Sequence, residues 1–596
     1  VDETPAWRRP LNLLTIALAI AAVVILCVRV STFDWVAVGD DLTIKLRTLD
    51  VGGSHTPLVG VYSRFNWNHP GPMLFYTLAL PLRLLGGDSL GLLFGAILIN
   101  LAAIGSSLWI AARARRDSLP LVAFFITLLC LGLNLGGLAD PWNPYVIILP
   151  MFATVIAAWR TALGDRVAAI VLVIAGSFAL QSHLGSGGVV VSMLAFGSIG
   201  ILLRAWRGPN RHDDRRTLLL AAVILLVCWI PPIVEQLTHS PGNLRLLFDF
   251  LRHGDGAYDG FASGARIIGR VLSIPGNWVR GAEPVKGPYC WRCGGGEVAP
   301  GSYPIPWALF ALVGATWWAW RRRWTNEIVL CATAFVLVLA GFFAASRVSG
   351  VVVPYLVRWV WVIGAATWLA VGAVLLAEIR RRAKSPRFTS RLATAATAIA
   401  LIALIATGPD LQPLQSYDSW TRTIDAVVDP TVEALQQAPQ PVLITSNLGV
   451  DGSVATAVLD AAEQHGIDVR RTSNLAFVFG PQRAIDPAKA KSELVIVAGD
   501  GWVDVAADPR FRLVTSFDPL SPDERAEVNA TEASHGVVSR PPDASGRPQS
   551  PDRTTFDTWI DDQFHAEHKS ADYERYRALA IRGDLVTIFI SDQPPG

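Results

Sequence analysis

The chain runs to 596 residues, of which 52% are hydrophobic and 17% charged, with a formal net charge of +2. A soluble protein of this length would carry about a quarter charged residues, and so neutral a balance, with no basic stretch interleaved with aromatics, argues against nucleic acid as a partner. The 21 tryptophans suit a membrane boundary, where amphipathic rings collect.

Apolar runs recur along the chain near 11–31, 89–111, 119–138, 145–160, 167–182, 188–206, 217–234, 304–320, 327–346, 352–376 and 391–408. Each is roughly the length that crosses a ~30 Å hydrocarbon core at 1.5 Å per residue. They predict a polytopic α-helical membrane protein of about eleven transmembrane helices. The first run lacks a small-x-small cleavage site, so it is expected to be a retained helix rather than a removed signal peptide. "PMLFYTLALPLRLLGG" (Pro72 to Gly87) is shorter and contains Pro81 and Arg83, which suits an interfacial or re-entrant helix on the outer side.

Orientation follows lysine and arginine. The connections holding Arg8–Arg9, Arg113 to Arg116, Arg160 and Arg166, Arg204 to Arg216, Arg321 to Arg323, and Arg380 to Arg391 are basic, whereas those at 139–144 and 183–187 carry none. The expected topology is a plasma-membrane protein with a cytoplasmic N-terminus, two large outer loops (32–88 and 235–303) and everything after Gly408 outside. Cys290 and Cys293, in "YCWRCGGG" of the second outer loop, form a lone CxxC. Half a metal site is one reading, and the oxidising compartment favours the other, a local disulfide.

Residues 1–410 thus form a membrane module, and 411–596 differ in kind. "PVLITS", "ELVIVAG", "FRLVTSF" and "LVTIFI" read as short strands, with helices over "SVATAVLDAAEQHG" and 571–582. This alternation predicts a small extracytoplasmic α/β domain with a partly parallel sheet. The Pro/Ser-rich stretch Thr531 to Thr554 reads as a mobile loop. There is no GxGxxG or GxxxxGK[ST] to support nucleotide binding.

Ionisable residues gather at the outer ends of the spans. Asp40 and Asp41 follow the first span, and the same segment continues through Arg64, Trp67 and His69 in "YSRFNWNHPGPMLFY". Gln181 and His183 end the fifth span, Glu235, Gln236, His239, Asn243 and Arg245 follow the seventh, and Arg358 opens the tenth. Ionisable groups at membrane depth mark a site or pathway by default.

The arrangement resembles the GT-C type membrane glycosyltransferases, which use polyprenyl-phosphate sugars. Asp40–Asp41 matches the position of their first-loop acidic pair. "HPGPMLFYTLALPLRLLGG" looks like the His-Pro-Pro block of protein O-mannosyltransferases and aminoarabinose transferases, with Gly71 in place of the second proline. "DDLTIKLRT" looks like the corresponding wording in actinobacterial arabinofuranosyltransferases, and with the Ala/Arg/Val-rich composition suggests an actinobacterial source.

The resemblance implies transfer of mannose or arabinofuranose from a polyprenyl-phosphate carrier to a glycan, glycolipid or protein acceptor of the cell envelope. It makes Asp40 the base. Arg64, His69, His183, Glu235, Asn243, Arg245 and Arg358 are the candidates for binding donor phosphate or substrate. Asp41 is the candidate ligand for a divalent cation, Mg²⁺ or Mn²⁺. An extended segment would point adjacent side chains to opposite sides, giving the two acids different jobs. The rival reading, a transporter or lipid-linked-sugar flippase, predicts carboxylates and broken helices at the bilayer midplane. The midspan sequences here are mostly plain Leu, Val, Ala and Ile.

Overall fold

The computed structural model describes residues 10–595 apart from 115–117, 209, 254–259, 282–303, 350–351, 384–387, 412–417, 448–452, 545, 566–568 and 581. The chain divides into two compact units. One holds Val1–Asp34, Pro57–Tyr289 and Gly295–Leu414, and the other gathers Trp35–Thr56 with Gln415–Gly596.

The first unit is a helical bundle, and a helix falls on every one of the predicted spans. Among the described residues, 8 helices are long and apolar enough to cross a membrane. The helices Ser118–Leu133, Arg166–Ser182 and Trp307–Arg322 are shorter, at 16, 17 and 16 residues. Met73–Leu84 has only 12 residues, with Pro81 inside. At 1.5 Å per residue it reaches roughly 18 Å, too little to cross.

Burial separates lipid-facing helices from central ones. Pro10–Ser31 buries Ala22, Leu26 and Val30 alone, and Arg211–Thr238 leaves Leu219, Val223, Leu226, Val227 and Ile230 exposed. By contrast Ile148–Ala162 is buried along nearly its whole length. Hydrocarbon gives apolar helices no reason to associate, so close approach of small residues has to do it. Gly200 shows this: a Cβ there would meet the Cα, Cβ and carbonyl oxygen of Ala162.

The second unit is built on a six-stranded sheet of order β3-β2-β1-β4-β6-β5. Its strands are β1 Val442–Ser446, β2 Val469–Thr472, β3 Ala484–Ile485, β4 Ser492–Ala498, β5 Arg512–Phe517 and β6 Val586–Ser591. β1 runs parallel to β2 and β4, β2 parallel to β3, and β6 antiparallel to β4 and β5. The helix Ser453–Gln464 crosses over between β1 and β2 and buries Val454, Ala455, Val458, Leu459 and Ala462. β6 is buried at all six residues, as a strand flanked on both sides requires.

The stretch read as a mobile loop is tied at both ends. Thr531–Ser534 complete a helix, Val538 bridges Asp552, and Arg553 bonds both Asp500 and Glu532. The Pro/Ser composition concealed those anchors.

Candidate active site

The acidic pair belongs to the second unit. The chain turns at Gly39, whose φ of 55° is a left-handed conformation that a Cβ would strain. Asp40–Leu49 then form a helix, which corrects the extended reading. Leu42, Ile44 and Leu46 alternate as in a strand, but every residue from Leu42 to Thr48 is buried, so alternation carries no information here. Both acids occupy the first helical turn, where unbonded N–H groups and the helix dipole favour negative charge. Their side chains leave the helix about 100° apart rather than on opposite faces.

In the first unit, the segments the sequence places at one level come together around a shared turn at Ser182–Leu184. Residues 60–69 form a tight reversal at Asn66 (φ 60°), with Ser63 N–H donating to the Trp67 carbonyl at 2.8 Å and His69 N–H to that of Val61 at 2.8 Å. The reversal is held from outside by a reciprocal pair. Asn68 N–H donates to Asn243 Oδ1 at 2.9 Å, and Asn243 Nδ2 donates to the Asn68 carbonyl at 2.8 Å. Asn243 N–H in turn donates to the Glu235 carboxylate at 2.9 and 3.1 Å. Glu235 therefore satisfies the start of the Asn243–His253 helix, an orphan donor that burial would penalise.

Leu184 N–H donates to His69 Nδ1 at 3.1 Å, which puts the ring proton on Nε2. The His69 and His183 rings lie 5.3 Å apart. Burial, and then the neighbouring His183, holds His69 well below the ordinary imidazole value. Burial pushes His183 down to about 4. Both rings are neutral near pH 7.

Across the shared turn, Asn143 Nδ2 donates to the Ser182 carbonyl at 2.9 Å. This fixes the segment that bears Asp140 and Tyr145. Burial raises Asp140 to about 6, against the hydrogen bond from Trp142 N–H (2.9 Å) and the charge of Arg358. The Arg358 guanidinium lies over the Tyr145 ring, 3.9 Å from its centroid, and 5.1 Å from that of Trp361. Trp142 packs on Tyr145 and Tyr355 at 5.3 and 4.8 Å. The result is a guanidinium framed by aromatic faces beside a buried acid that takes up a proton more readily than an ordinary carboxylate, a setting suited to an anionic headgroup.

His69, His183, Glu235 and Asn243 thus share one cluster, and Arg358 adjoins it across the same turn. Arg64 is exposed, donates to the Ser349 carbonyl at 3.0 Å and stacks on Phe65 at 4.9 Å. Arg245 stands off the cluster, its side chain 72% exposed and facing Asp249 at 3.9 Å. Cys290 and Cys293 lie outside the described residues. Asp140 and Tyr145 were not anticipated. Their signal is faint: a single acid in the arginine-free, aromatic "LADPWNPYV". Among the described residues no three His, Cys, Asp or Glu side chains gather to hold a metal ion. A carboxylate pair suffices for Mg²⁺ only when substrate phosphate completes the shell.

No family model matches the chain, and no curated protein matches it. Among solved structures it is similar to ArnT from Cupriavidus metallidurans bound to undecaprenyl phosphate, at 13% identity and a TM-score of 0.48 over 84% of this chain and 96% of that one. The apo state of the same protein gives 13% identity and a TM-score of 0.47, over 84% and 95%.

Proposed function

We propose that the chain is a membrane glycosyltransferase that moves a sugar, mannose or arabinofuranose, from a polyprenyl-phosphate carrier to an extracytoplasmic cell-envelope acceptor. The acceptor is a glycan, glycolipid or protein. The observation that carries this reading is the acidic pair set in the first turn of a buried helix, in the segment that directly follows a membrane span. A donor in the membrane and an acceptor in water call for a base at that boundary.

The chemistry needs few groups. The acceptor hydroxyl oxygen attacks the anomeric carbon and its proton passes to Asp40. The bond from that carbon to the phosphate oxygen breaks, and the electron pair leaves with the polyprenyl phosphate. A sugar phosphodiester already has a good leaving group, so no strong general acid is required. Arg358, its guanidinium set against the Tyr145 and Trp361 rings, holds the donor phosphate before and during transfer. Asp41, next in the same turn, orients the hydroxyl, or would be the ligand of a Mg²⁺ or Mn²⁺ ion that would supply positive charge to offset the donor phosphate.

The test uses the full chain in lipid nanodiscs, with polyprenyl-phosphoryl mannose and polyprenyl-phosphoryl arabinofuranose as donors and an envelope extract as acceptor. Asp40→Asn keeps size and hydrogen bonding but removes basicity, and should cost about 10²–10⁴-fold in transfer. If Asp40→Asn and Asp41→Asn both transfer at near-parental rates, the catalytic reading of the acidic pair fails. Movement of the donor across the bilayer without transfer would put a flippase in its place.

A further inference from the structure

The Trp35–Thr56 segment carries three further buried charges that the proposed chemistry does not use. Lys45 Nζ donates to Asp460 Oδ2 at 2.8 Å, with side chains only 7% and 11% exposed, and Gln464 Nε2 donates to the same oxygen at 2.9 Å. Arg47 Nη1 donates to Asp50 Oδ2 at 2.9 Å. Arg483, its side chain 4% exposed, donates to both Asp50 oxygens at 2.9 Å. It also reaches both Glu463 oxygens at 2.7 and 3.0 Å and the Phe479 carbonyl at 2.8 Å. Gln482 Nε2 adds a fourth donor to Asp50 at 2.9 Å. At Gly480, held at φ 94°, a Cβ would collide with the Arg47 guanidinium.

Buried ion pairs add little stability over apolar packing of the same volume, and their best-attested use is to fix one arrangement among several. What they fix here is a helix of 10 residues, too short to hold its shape alone. The anchors lie close to the acids. Lys45 is one turn beyond Asp41 on the same face, and Arg47 is two turns beyond Asp40. A rotation or slide of the helix would move both carboxylates with it.

We propose that Arg483 and the Lys45–Asp460 pair are positioning residues: the C-terminal α/β unit grips the Asp40–Leu49 helix by charge and so sets where the acidic pair stands. The grip is a property of the fold, and its effect on transfer rests on the glycosyltransferase reading. On this view the C-terminal residues belong to the reaction although none touches substrate.

The experiment compares the parental chain in nanodiscs with Arg483→Gln, Lys45→Met, and the exchanged pair Lys45→Asp with Asp460→Lys. Amide hydrogen exchange reads the grip directly. Residues 40–49 should exchange about tenfold faster in Arg483→Gln, while the Ile148–Ala162 helix stays unchanged. In transfer from the two polyprenyl-phosphoryl sugars, kcat should fall about 10²-fold, as misplaced catalytic groups do, with the donor KM within about twofold. The exchanged pair should recover most of what Lys45→Met loses. If Arg483→Gln also speeds exchange in β1 and β6, the Lys45 variants decide the matter. Unchanged exchange over 40–49 overturns the proposal, as does parental kcat in variants whose Asp40→Asn counterpart is inactive. Faster exchange together with full activity of Asp40→Asn leaves the grip intact and removes the role of Asp40 as base instead.

Discussion

Asp50 in the C-terminal unit and Asp140 in the helical bundle are both largely buried beside arginine, yet their surroundings follow opposite logic. Asp50 accepts from Arg47, Gln482 and twice from Arg483. Burial lowers the Arg47 guanidinium, and Asp50 only partly offsets that. For Arg483 burial works the same way, but its bonds to Asp50 and Glu463 outweigh it and the group ends up raised. Asp140 has one backbone donor, and the arginine near it lies on an aromatic ring. Saturated charges hold a structure in place. A buried acid near 6 beside a stacked cation is set to respond to a ligand or to pH.

The comparison breaks first at Asp50. Asp50→Asn leaves two guanidiniums buried with only a neutral amide between them, and should cost about 3–5 kcal/mol. Thermal unfolding and protease sensitivity of the C-terminal unit in detergent would measure it. A loss under about 1 kcal/mol would mean that Glu463 alone keeps Arg483 in place.

The next effect belongs to the histidine pair. Both rings titrate below their ordinary value in the folded protein, so the unfolded chain binds more protons as pH falls from 6.5. The contribution of His183 to stability is whole above about pH 6.5 and is lost as pH falls through about 4, and His69, also held below its ordinary value, acts in the same direction. For His183 that shift corresponds to roughly 3 kcal/mol. His183→Gln should start less stable at pH 7.5 but lose less on acidification. A midpoint that falls with pH as steeply as in the parental protein would place the acid sensitivity elsewhere.

How much of this was legible in the sequence depends on which physical signal each part leaves. The 8 described helices long enough and apolar enough to cross a membrane announced themselves by those two properties, because hydrocarbon demands both. β1, β4 and β6 were plain as apolar runs. β2, Val469–Thr472, was not: "VRRT" carries two arginines, and Arg471 is buried 5.7 Å from the Phe479 ring. The Pro522–Ser534 helix lacks an apolar stripe, yet "SPDE" spells its capping box, with Ser521 and Glu524 bonding reciprocally. That signal was present and unused. Around the site, residue types and depth pointed to His69, His183 and Arg358. The Asn68–Asn243 pair and the Arg483–Asp50 network join residues 175 and 433 apart, and no local pattern encodes them.

Arg358 sharpens the comparison from the bundle side. Arg358→Ala should raise the donor KM about ten- to a hundredfold and leave kcat nearly unchanged, since a guanidinium that recognises phosphate in both ground and transition states acts through binding. Arg358→Lys should recover little, because an ammonium neither stacks on Tyr145 nor offers a bidentate fork. Steady-state kinetics with each polyprenyl-phosphoryl sugar would separate the two parameters. Loss confined to kcat would move Arg358 from binding to transition-state stabilisation.

The smallest expected effect is the most specific to Asp140. A donor phosphodiester carries one negative charge throughout pH 5–8, so its own titration cannot colour the result. Asp140 does change over that range, being raised to about 6 by burial despite the Trp142 hydrogen bond and the Arg358 charge. Above that value its carboxylate competes with the phosphate for Arg358. As pH falls through it, the acid takes up a proton and the competition ends. Donor affinity should therefore rise on acidification from 7.5 to 5.5, by about three- to tenfold for an electrostatic term near 1 kcal/mol. The measurement is the dissociation constant of polyprenyl-phosphoryl sugar for the nanodisc-held chain, taken without acceptor so that no transfer intervenes. Asp140→Asn should bind with the low-pH affinity of the parent across the whole range. A slope that survives in Asp140→Asn would assign the titration to another group, and a flat parental profile would mean that the Asp140 charge never reaches the phosphate.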